Sequence, residues 1–434
     1  MRHIIIGTGV AGFAAVEAIR SVDKTSEIIM FGNDPHGYYS RPGLAYFLTG
    51  ELPDKALFPK KREDYSPLNF KFQKSHVTKI NRTEKNLVLD GKTHLSYDRL
   101  LIATGARATP LKVPGANLKG VVKLDHFDDA HQIMSFAKRG KTAVVVGGGI
   151  TALELVEGLV SRGVHVHYLL RGNRYWSSVL DEHESRIVEE RLQTEGVTLH
   201  FHSELAEIVG KSGKVSAVHL RDGSTIKCEM LAYAIGINPC VELASESGLL
   251  LERGILVNEF LQTNDPSIFA AGDVAQVYDP LTGHSVLDSL WTPAREQGYA
   301  AGLNMAGQRK AYVKSAPFNV TRLAGLTTTI IGTVGRGQDE DVLGIARGDS
   351  ETWRQLPDAI VAQGGFDMNH VRVLVGEKTL IGAVIMGDQT LSMPLQKIIT
   401  EKMDISGIHD KLLSSEAKIA DVIVDYWSKH IEIA

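Results

Sequence analysis

Twice in this chain a buried-strand run turns into a helix through closely spaced glycines, and few folds accommodate even one such turn. Ile4-Ile5-Ile6 leads into Gly7-Thr8-Gly9-Val10-Ala11-Gly12 and then into helix-forming residues 13–20. In a G-x-G-x-x-G run the first glycine permits the turn, and the second lets backbone approach a pyrophosphate. The third lets the helix lie against the strand. The helix start then presents N–H groups and partial positive charge to an anion. A second strand over residues 27–31 ends at Gly32-Asn33-Asp34, where an acid can accept hydrogen bonds from an adenosine ribose. The same arrangement returns 140 residues on, from Gly7 to Gly147. A β-branched strand over 141–146 runs into Gly147-Gly148-Gly149-Ile150-Thr151-Ala152, followed by a helix over 153–162 and a strand over 164–170. Two dinucleotide fingerprints in one chain imply a flavin and a nicotinamide, because hydride must pass from one ring to the other.

Two further segments fit this plan. Tyr97 to Arg107 reads as a strand ending in the small residues Ala103-Thr104-Gly105. Residues 267–275 read as another strand, ending in Gly272-Asp273. Beyond it, Leu290-Trp291-Thr292-Pro293 opens a helix that runs toward Met305. Thr292 as N-cap with Pro293 at the first helical position is the expected start. That N-terminus can stabilise negative charge developing on a flavin pyrimidine ring.

Composition removes other chemistries. A formal net charge of −4 gives no global attraction to nucleic acid or anionic membrane. No apolar run approaches the ~20 residues of a membrane span. Met1 leads straight into His3-Ile4-Ile5-Ile6, leaving no room for a signal peptide, so the expected location is the cytoplasm. The two cysteines, Cys228 and Cys240, form no C-x-x-C motif and cannot supply the four thiolates of an ordinary iron–sulfur cluster; both read as small buried hydrophobes. His165 and His167 share one strand face with no third ligand nearby, so no metal is expected.

On residues 4–12, 97–107, 144–154 and 267–275 the chain resembles the two-dinucleotide-domain flavoproteins, the glutathione reductase (pyridine nucleotide-disulfide oxidoreductase) superfamily. The order of those segments covers about 1–310. Tyr38-Tyr39-Ser40-Arg41-Pro42-Gly43-Leu44 resembles the corresponding segment of rubredoxin and ferredoxin reductases and of nitrite-reductase flavin domains. Coenzyme A disulfide reductases and NADH peroxidases carry a redox cysteine in this loop, where this chain has Pro42.

The resemblance implies an α/β fold with two Rossmann-like dinucleotide-binding domains and a C-terminal α+β domain. The FAD domain is expected to be discontinuous, at 1–113 and 239–312, with the NAD(P) domain inserted at 114–238 and an interface domain at 313–434. Gly7, Gly9, Val10, Ala11 and Gly12 would hold the FAD pyrophosphate, and Asn33 or Asp34 the ribose. Val77 would lie beside the adenine, and Ala103, Thr104 and Gly105 along the FAD path. Arg41, Pro42 and Trp291 would border the flavin, and Asp273 would bond the ribityl chain. Gly147, Gly149, Ile150 and Gly236 would receive the nicotinamide nucleotide. Glu154 matches a glutamate near the flavin and nicotinamide, and is read as a positioning residue.

The resulting reading is an FAD-dependent NAD(P)H oxidoreductase that passes electrons to a small carrier protein of the rubredoxin or ferredoxin kind, or to a partner reductase. The alternatives are a direct oxidase or quinone reductase, and a flavoprotein sensor or binding module. Where NAD enzymes place an acid after the second strand, this chain has Leu170 followed by Arg171 and Arg174, which favours NADPH over NADH; the bland alternative is a solvated loop. Residues 54–74 hold Lys55, Lys60, Lys61, Arg62, Lys71 and Lys74 against Asp54, Glu63 and Asp64, either a docking patch or an ordinary surface. In relatives the third domain forms a dimer interface or borders the flavin, so a homodimer through 313–434 is one expectation. Its strand-like runs at 326–334, 371–375 and 379–386 precede helices after 391. The amphipathic final helix, 419–433, reads as core packing in preference to membrane or partner docking.

Overall fold

Apolar β-branched runs without polar alternation bury both faces, as strands of a parallel sheet covered by helices must. In a computed structural model, which describes residues 1–280, 283–334, 369–414 and 418–431, Arg2–Ile6 is the central strand of such a sheet. Glu27–Gly32 and then Lys71–Lys74 lie on one side of it, with Arg99–Ile102 and then Ile268–Ala270 on the other, all parallel. The strand Ile268–Ala270 therefore completes a sheet begun more than 260 residues earlier, at Arg2. The second fingerprint has its own five-stranded parallel sheet, in the order Thr198–His200, His165–Leu169, Thr142–Val146, Met230–Tyr233, Val121–Lys123. Its helix, Ile150–Val160, begins at Ile150, three residues before the sequence expectation.

Helix Trp291–Met305 lies across helix Val10–Val22 at backbone distance. A Cβ on Gly298 would sit 2.1 Å from the Ala11 carbonyl oxygen, and one on Gly302 would sit 2.5 Å from that of Ala15. This contact fixes where the N-terminus of Trp291–Met305 points. The helix starts at Trp291 with Leu290 as N-cap and no side-chain cap, so Thr292 is not the cap that the Thr-Pro pair suggested. Pro293 falls within the first turn, where its missing N–H has no intrahelical partner to lose.

The C-terminal segment forms a four-stranded antiparallel sheet in the order Phe318–Leu323, Leu326–Gly332, Leu380–Met386, His370–Val375. Helix Ser392–Thr400 packs on it, and the final helix is Ile419–Ile431; residues 432 and 433 of its expected span lie outside the described ones. Within that helix Ile423 and Tyr426 are buried in the domain's core. The turn Ala324-Gly325 reaches both nucleotide-binding units. Arg322 makes a two-point ion pair with Glu51 at 2.8 and 2.6 Å, Arg191 donates to the Ala324 carbonyl, and Gly325 N–H donates to Glu157.

Placing a methyl group at the helix crossing should force backbone apart, and overpacking of this kind destabilises by about 1–3 kcal/mol. Gly298→Ala is therefore expected to lower the denaturant midpoint of unfolding. Equal midpoints for Gly298→Ala and wild type would show that the crossing can relax.

Candidate dinucleotide site

The strand Arg2–Ile6 ends at Gly7, whose φ of +124° suits only glycine; a Cβ there would stand 2.0 Å from the Ala103 carbonyl oxygen. Gly12 is excluded from larger residues for another reason, since its Cβ would stand 2.2 Å from the Gly7 carbonyl oxygen. Gly9 has nothing within 4 Å of its Cβ position. It is the N-cap of helix Val10–Val22 and gives no side-chain cap. The first-turn N–H groups thus face open space with their hydrogen-bonding capacity unspent, which is the donor set a pyrophosphate needs.

A cavity of about 660 Å³ opens from this point. It is lined by the expected Gly7, Gly9, Val10, Ala11, Asn33, Asp34, Arg41, Pro42, Val77, Ala103, Thr104, Gly105, Asp273 and Trp291. Gly12 does not line it, because Gly12 is buried in the helix–strand contact. Asp34 is held in place: its carboxylate accepts from the His36 N–H at 2.9 Å and from the Tyr39 hydroxyl at 3.2 Å. Gly272 N–H donates to the side-chain oxygen of buried Gln297, fixing the turn that presents Asp273. Thr104 donates to the Cys240 carbonyl at 2.8 Å, and Cys240 N–H to the Gly105 carbonyl at 2.9 Å, so the two chain crossings are tied where they line the cavity.

Sequence reasoning did not find His126, Tyr39 or Ser289 among the lining residues. The Arg41 guanidinium donates to His126 Nδ1 at 3.2 Å and stands 3.7 Å from fully buried Asp125. An imidazole nitrogen that accepts from arginine carries no proton, so His126 is neutral with its hydrogen on Nε2, facing Asp125 at 3.5 Å. Burial and then the Arg41 charge hold its pKa below the usual histidine value. The Tyr39 hydroxyl accepts from the Phe127 N–H, and burial pushes its phenol up to about 12. One signal was available: Asp129 lies three residues after His126 and its carboxylate accepts the His126 N–H, the return half of a capping box.

The second fingerprint repeats the sterics of the first. Gly147 has φ +147° and a Cβ there would be 2.2 Å from the Ala234 carbonyl oxygen; Gly148 and Gly149 are open. Gly149 is the N-cap of Ile150–Val160 and again offers no side-chain cap. Gly236, at φ +119°, accepts from Thr109 N–H where the two units are joined by the paired strands Ala106–Ala108 and Ile237–Pro239. Glu154 is half-buried on the helix. Arg171 is exposed and has no hydrogen-bond partner among the described residues, whereas Arg174 folds back to donate to the Ser177 carbonyl at 3.3 Å. The two nucleotide units touch through helices Gly43–Thr49 and Ile150–Val160: a Cβ on Gly158 would stand 2.7 Å from that of Leu48, and Arg162 donates to the Leu48 carbonyl.

A family model described as pyridine nucleotide-disulphide oxidoreductase matches residues 1–298. The chain belongs to that family. It is 29% identical over 419 residues to the assimilatory nitrate reductase electron transfer subunit of Bacillus subtilis, covering 96% of this chain and 51% of that protein. The NADH-rubredoxin oxidoreductase of Clostridium acetobutylicum is 24% identical over 406 residues, covering 93% of this chain and 96% of its own length. The fold matches the crystal structure of a covalent putidaredoxin reductase–putidaredoxin complex with a TM-score of 0.82, at 22% identity and 98% of each chain. The chain spans about half the length of its Bacillus subtilis relatives. Family membership makes it an oxidoreductase that uses NAD(P)H and implies FAD; the two open, uncapped helix N-termini fit two dinucleotides.

This member carries the family name without its thiol chemistry at the loop. Pro42 is buried in the cavity wall. Cys228 is buried in a hydrophobic cluster, and Cys240, expected only to pack, lines the cavity half-buried. His167 Nδ1 lies 2.9 Å from His200 Nε2, and among the described residues no three His, Cys, Asp or Glu side chains are grouped to hold a metal. No described helix is long and apolar enough to cross a membrane. Burial pushes the Cys228 thiol up to about 12 and raises that of Cys240 as well. Thiolate is the reactive form, so Cys228 should not alkylate readily below about pH 12, and the raised thiol of Cys240 should alkylate more slowly than a free one. At about pH 8 the folded protein is expected to resist iodoacetamide, and the Cys228→Ser, Cys240→Ser double variant to keep flavin bleaching within a few-fold. A loss of about a hundredfold in a folded double variant would assign a thiol to the chemistry.

Proposed function

We propose that the chain is an FAD-dependent NAD(P)H oxidoreductase that hands electrons to a small carrier protein or a partner reductase. The observation carrying this reading is the pair of uncapped helix N-termini at Gly9 and Gly149, each opening from the carboxyl end of a parallel sheet. When bound, FAD supplies the conversion of a two-electron hydride into electrons that can leave singly. Gly7, Gly9, Val10 and Ala11 would hold its pyrophosphate, Asn33 and the fixed Asp34 its ribose, and Val77 its adenine. Ala103, Thr104 and Gly105 would floor its path, and Asp273 would bond the ribityl chain. Arg41 and Pro42 from one side and Trp291 from the other would border the ring. Gly147, Gly149, Ile150 and Gly236 would seat the nicotinamide nucleotide, with Glu154 positioning the two rings. The protein's contribution is alignment, exclusion of water and fixed charge.

The electron-transfer relatives support a protein acceptor, and Pro42 in place of the redox cysteine leaves no thiol in that loop to pass electrons to a disulfide. The basic stretch is the proposed docking surface, in a smaller form than its composition suggested. Lys60 pairs with Glu17 at 3.0 Å and Lys71, itself exposed, with Glu27 at 2.8 Å, which leaves Lys55, Lys61 and Lys74 exposed and without an ion pair among the described residues. The short helix Asp54–Leu57, which carries Lys55, is tied to the chain flanking Arg41 and Pro42, because Leu57 packs against Gly43 and its carbonyl accepts the Ser40 N–H. Charge complementarity with an acidic carrier mainly raises the encounter rate. Reversal of Lys55 and Lys61 to Glu should slow reduction of rubredoxin or ferredoxin at low ionic strength, while anaerobic bleaching by NAD(P)H proceeds as in wild type. Carrier reduction indifferent to both reversal and salt would remove this docking site.

NADPH is the proposed reductant. Leu170 presents no acid to repel a 2′-phosphate, and unpaired Arg171 can bond one. A hydrogen bond to a charged group contributes about 1.5–3 kcal/mol, so Arg171→Ala should raise the KM for NADPH by about tenfold or more and leave that for NADH little changed. A wild-type preference for NADH in kcat/KM would show that Arg171 faces away from the nucleotide.

A further inference from the structure

Two imidazoles line the dinucleotide cavity, those of His76 and His126. The half-buried His126 ring stands between a cation and two carboxylates. Its Nδ1 accepts from the Arg41 guanidinium at 3.2 Å, and the Asp34 carboxylate lies 3.9 Å from the same nitrogen. Its Nε2 faces the Asp125 carboxylate at 3.5 Å. Asp125 is fully buried and is fixed by the Ala108 N–H at 3.0 Å and by Lys123 at 3.3 Å. The other charges acting on the ring are those of Lys123 and Asp129, which pair with each other at 3.1 Å. Next along the chain, Asp128 is paired with His36 at 2.8 Å, and the Tyr39 hydroxyl donates to Asp34. Asp273 bears on the Arg41 charge.

The ring is not what shapes this turn. The His126 N–H donates to Asp129 at 3.0 Å and the Asp125 N–H does so at 3.1 Å, so the backbone is held whatever side chain stands at 126. What an imidazole adds there is a charge that can change near neutral pH. In the free protein Nδ1 accepts from Arg41 and the ring is neutral, with burial first and then the Arg41 charge opposing its protonation. An anion beside Arg41 offsets the guanidinium charge and can take the N–H that Nδ1 had accepted. The protonated ring then has a carboxylate facing each nitrogen, Asp34 at Nδ1 and Asp125 at Nε2, which favours the charged form.

We propose that His126 takes up a proton when the cavity binds the anionic pyrophosphate of FAD, and that Arg41 couples the two events. The inference rests on the reading of this cavity as the FAD site. The proton comes from solvent and adds to Nδ1, and no bond of FAD is made or broken. FAD has no group of its own that titrates near neutral pH, so the uptake belongs to the protein. A ring that is neutral in the free protein and protonated in the complex ties binding to low pH. Affinity for FAD is greatest below the pKa of the free protein's ring, and it falls as pH rises through the higher pKa of the complex.

The test titrates the full-length, FAD-free protein with FAD in a calorimeter near neutral pH, in buffers of different ionisation enthalpy, whose difference in heat counts the protons taken up. Wild type is expected to take up a substantial fraction of a proton per FAD, and its Kd for FAD to rise by about tenfold between about pH 6 and about pH 8. His126→Asn can still accept from Arg41 but cannot titrate, so it should bind FAD with little uptake and a Kd nearly independent of pH. His76→Asn, at the other imidazole of the cavity wall, should behave as wild type. Carbon-13 spectra of histidine-labelled wild type give the same answer without a variant, since FAD should move the titration of a histidine ring to higher pH. Wild type that binds FAD with no uptake, and with its histidine titrations unmoved, overturns the inference and leaves the flavin reading standing. Uptake that survives His126→Asn, or that is lost in His76→Asn instead, puts the proton elsewhere and overturns it too. A wild-type protein that binds no FAD overturns the flavin reading and the inference together.

Discussion

The strand that ends at Gly7 runs so close to the Ala103 carbonyl that a single methyl group would lie 2.0 Å from its oxygen, and one on Gly147 would lie 2.2 Å from the Ala234 carbonyl oxygen. At that separation only backbone fits, and the helix that follows must leave the sheet steeply from its carboxyl edge. Its first-turn N–H groups then point outward with no side chain to cap them. The charge-binding ends of both sites follow from this one steric condition. It operates again where Gly298 and Gly302 meet Ala11 and Ala15, which aims the N-terminus of Trp291–Met305 at the same cavity. Three helix N-termini are thus set by glycine contacts, none by a side-chain cap.

Around these donors the charges are arranged in fixed pairs. Arg41 is held between His126 and Asp125, and Asp34 is held by Tyr39 and the His36 N–H. A site whose charges are already oriented needs little reorganisation when a dinucleotide binds or when charge moves between rings. The relative placing of the two units is also set at backbone level, through the Gly158–Leu48 contact and the bond from Arg162 to the Leu48 carbonyl. The C-terminal sheet closes the arrangement from outside, since Arg322 holds Glu51 on one unit while Gly325 and Ala324 bond Glu157 and Arg191 on the other. Arg372 adds a two-point pair with Glu184, fully buried on helix Glu182–Thr194. Because hydride transfer depends steeply on the separation of its partners, these contacts distant from the cavity bear on its chemistry.

The two fingerprints, the strands before them, and the cavity-lining residues that sit on those local motifs, such as Gly7, Gly9, Thr104, Asp273 and Trp291, were legible because their causes are local. A glycine at a fixed offset from a β-branched run has one use, and a short chain segment displays it whole. The family follows from the order of such segments, as does the lack of a thiol at Pro42. Thr292 shows the limit of local reading: Thr-Pro is a sound start signal, yet the helix begins at Trp291 because the crossing with Val10–Val22 decides where its axis lies. The six cations of residues 54–74 could be counted, but not that Glu17 and Glu27 neutralise two of them from other elements.

His126 entering the cavity, Arg174 turning back to Ser177 while Arg171 stays open, and the burial of the Tyr168 and Tyr175 hydroxyls without a hydrogen-bond partner belong to tertiary structure alone. Each depends on which segments meet across a domain boundary or a sheet face, and no spacing along the chain encodes that distance. The sequence by itself determined the two glycine turns and their open helix N-termini, since glycine sterics act within a few residues. Which charges stand beside that backbone, and which are cancelled before they reach it, was decided only by folding, because electrostatic neighbours are set by distance in space.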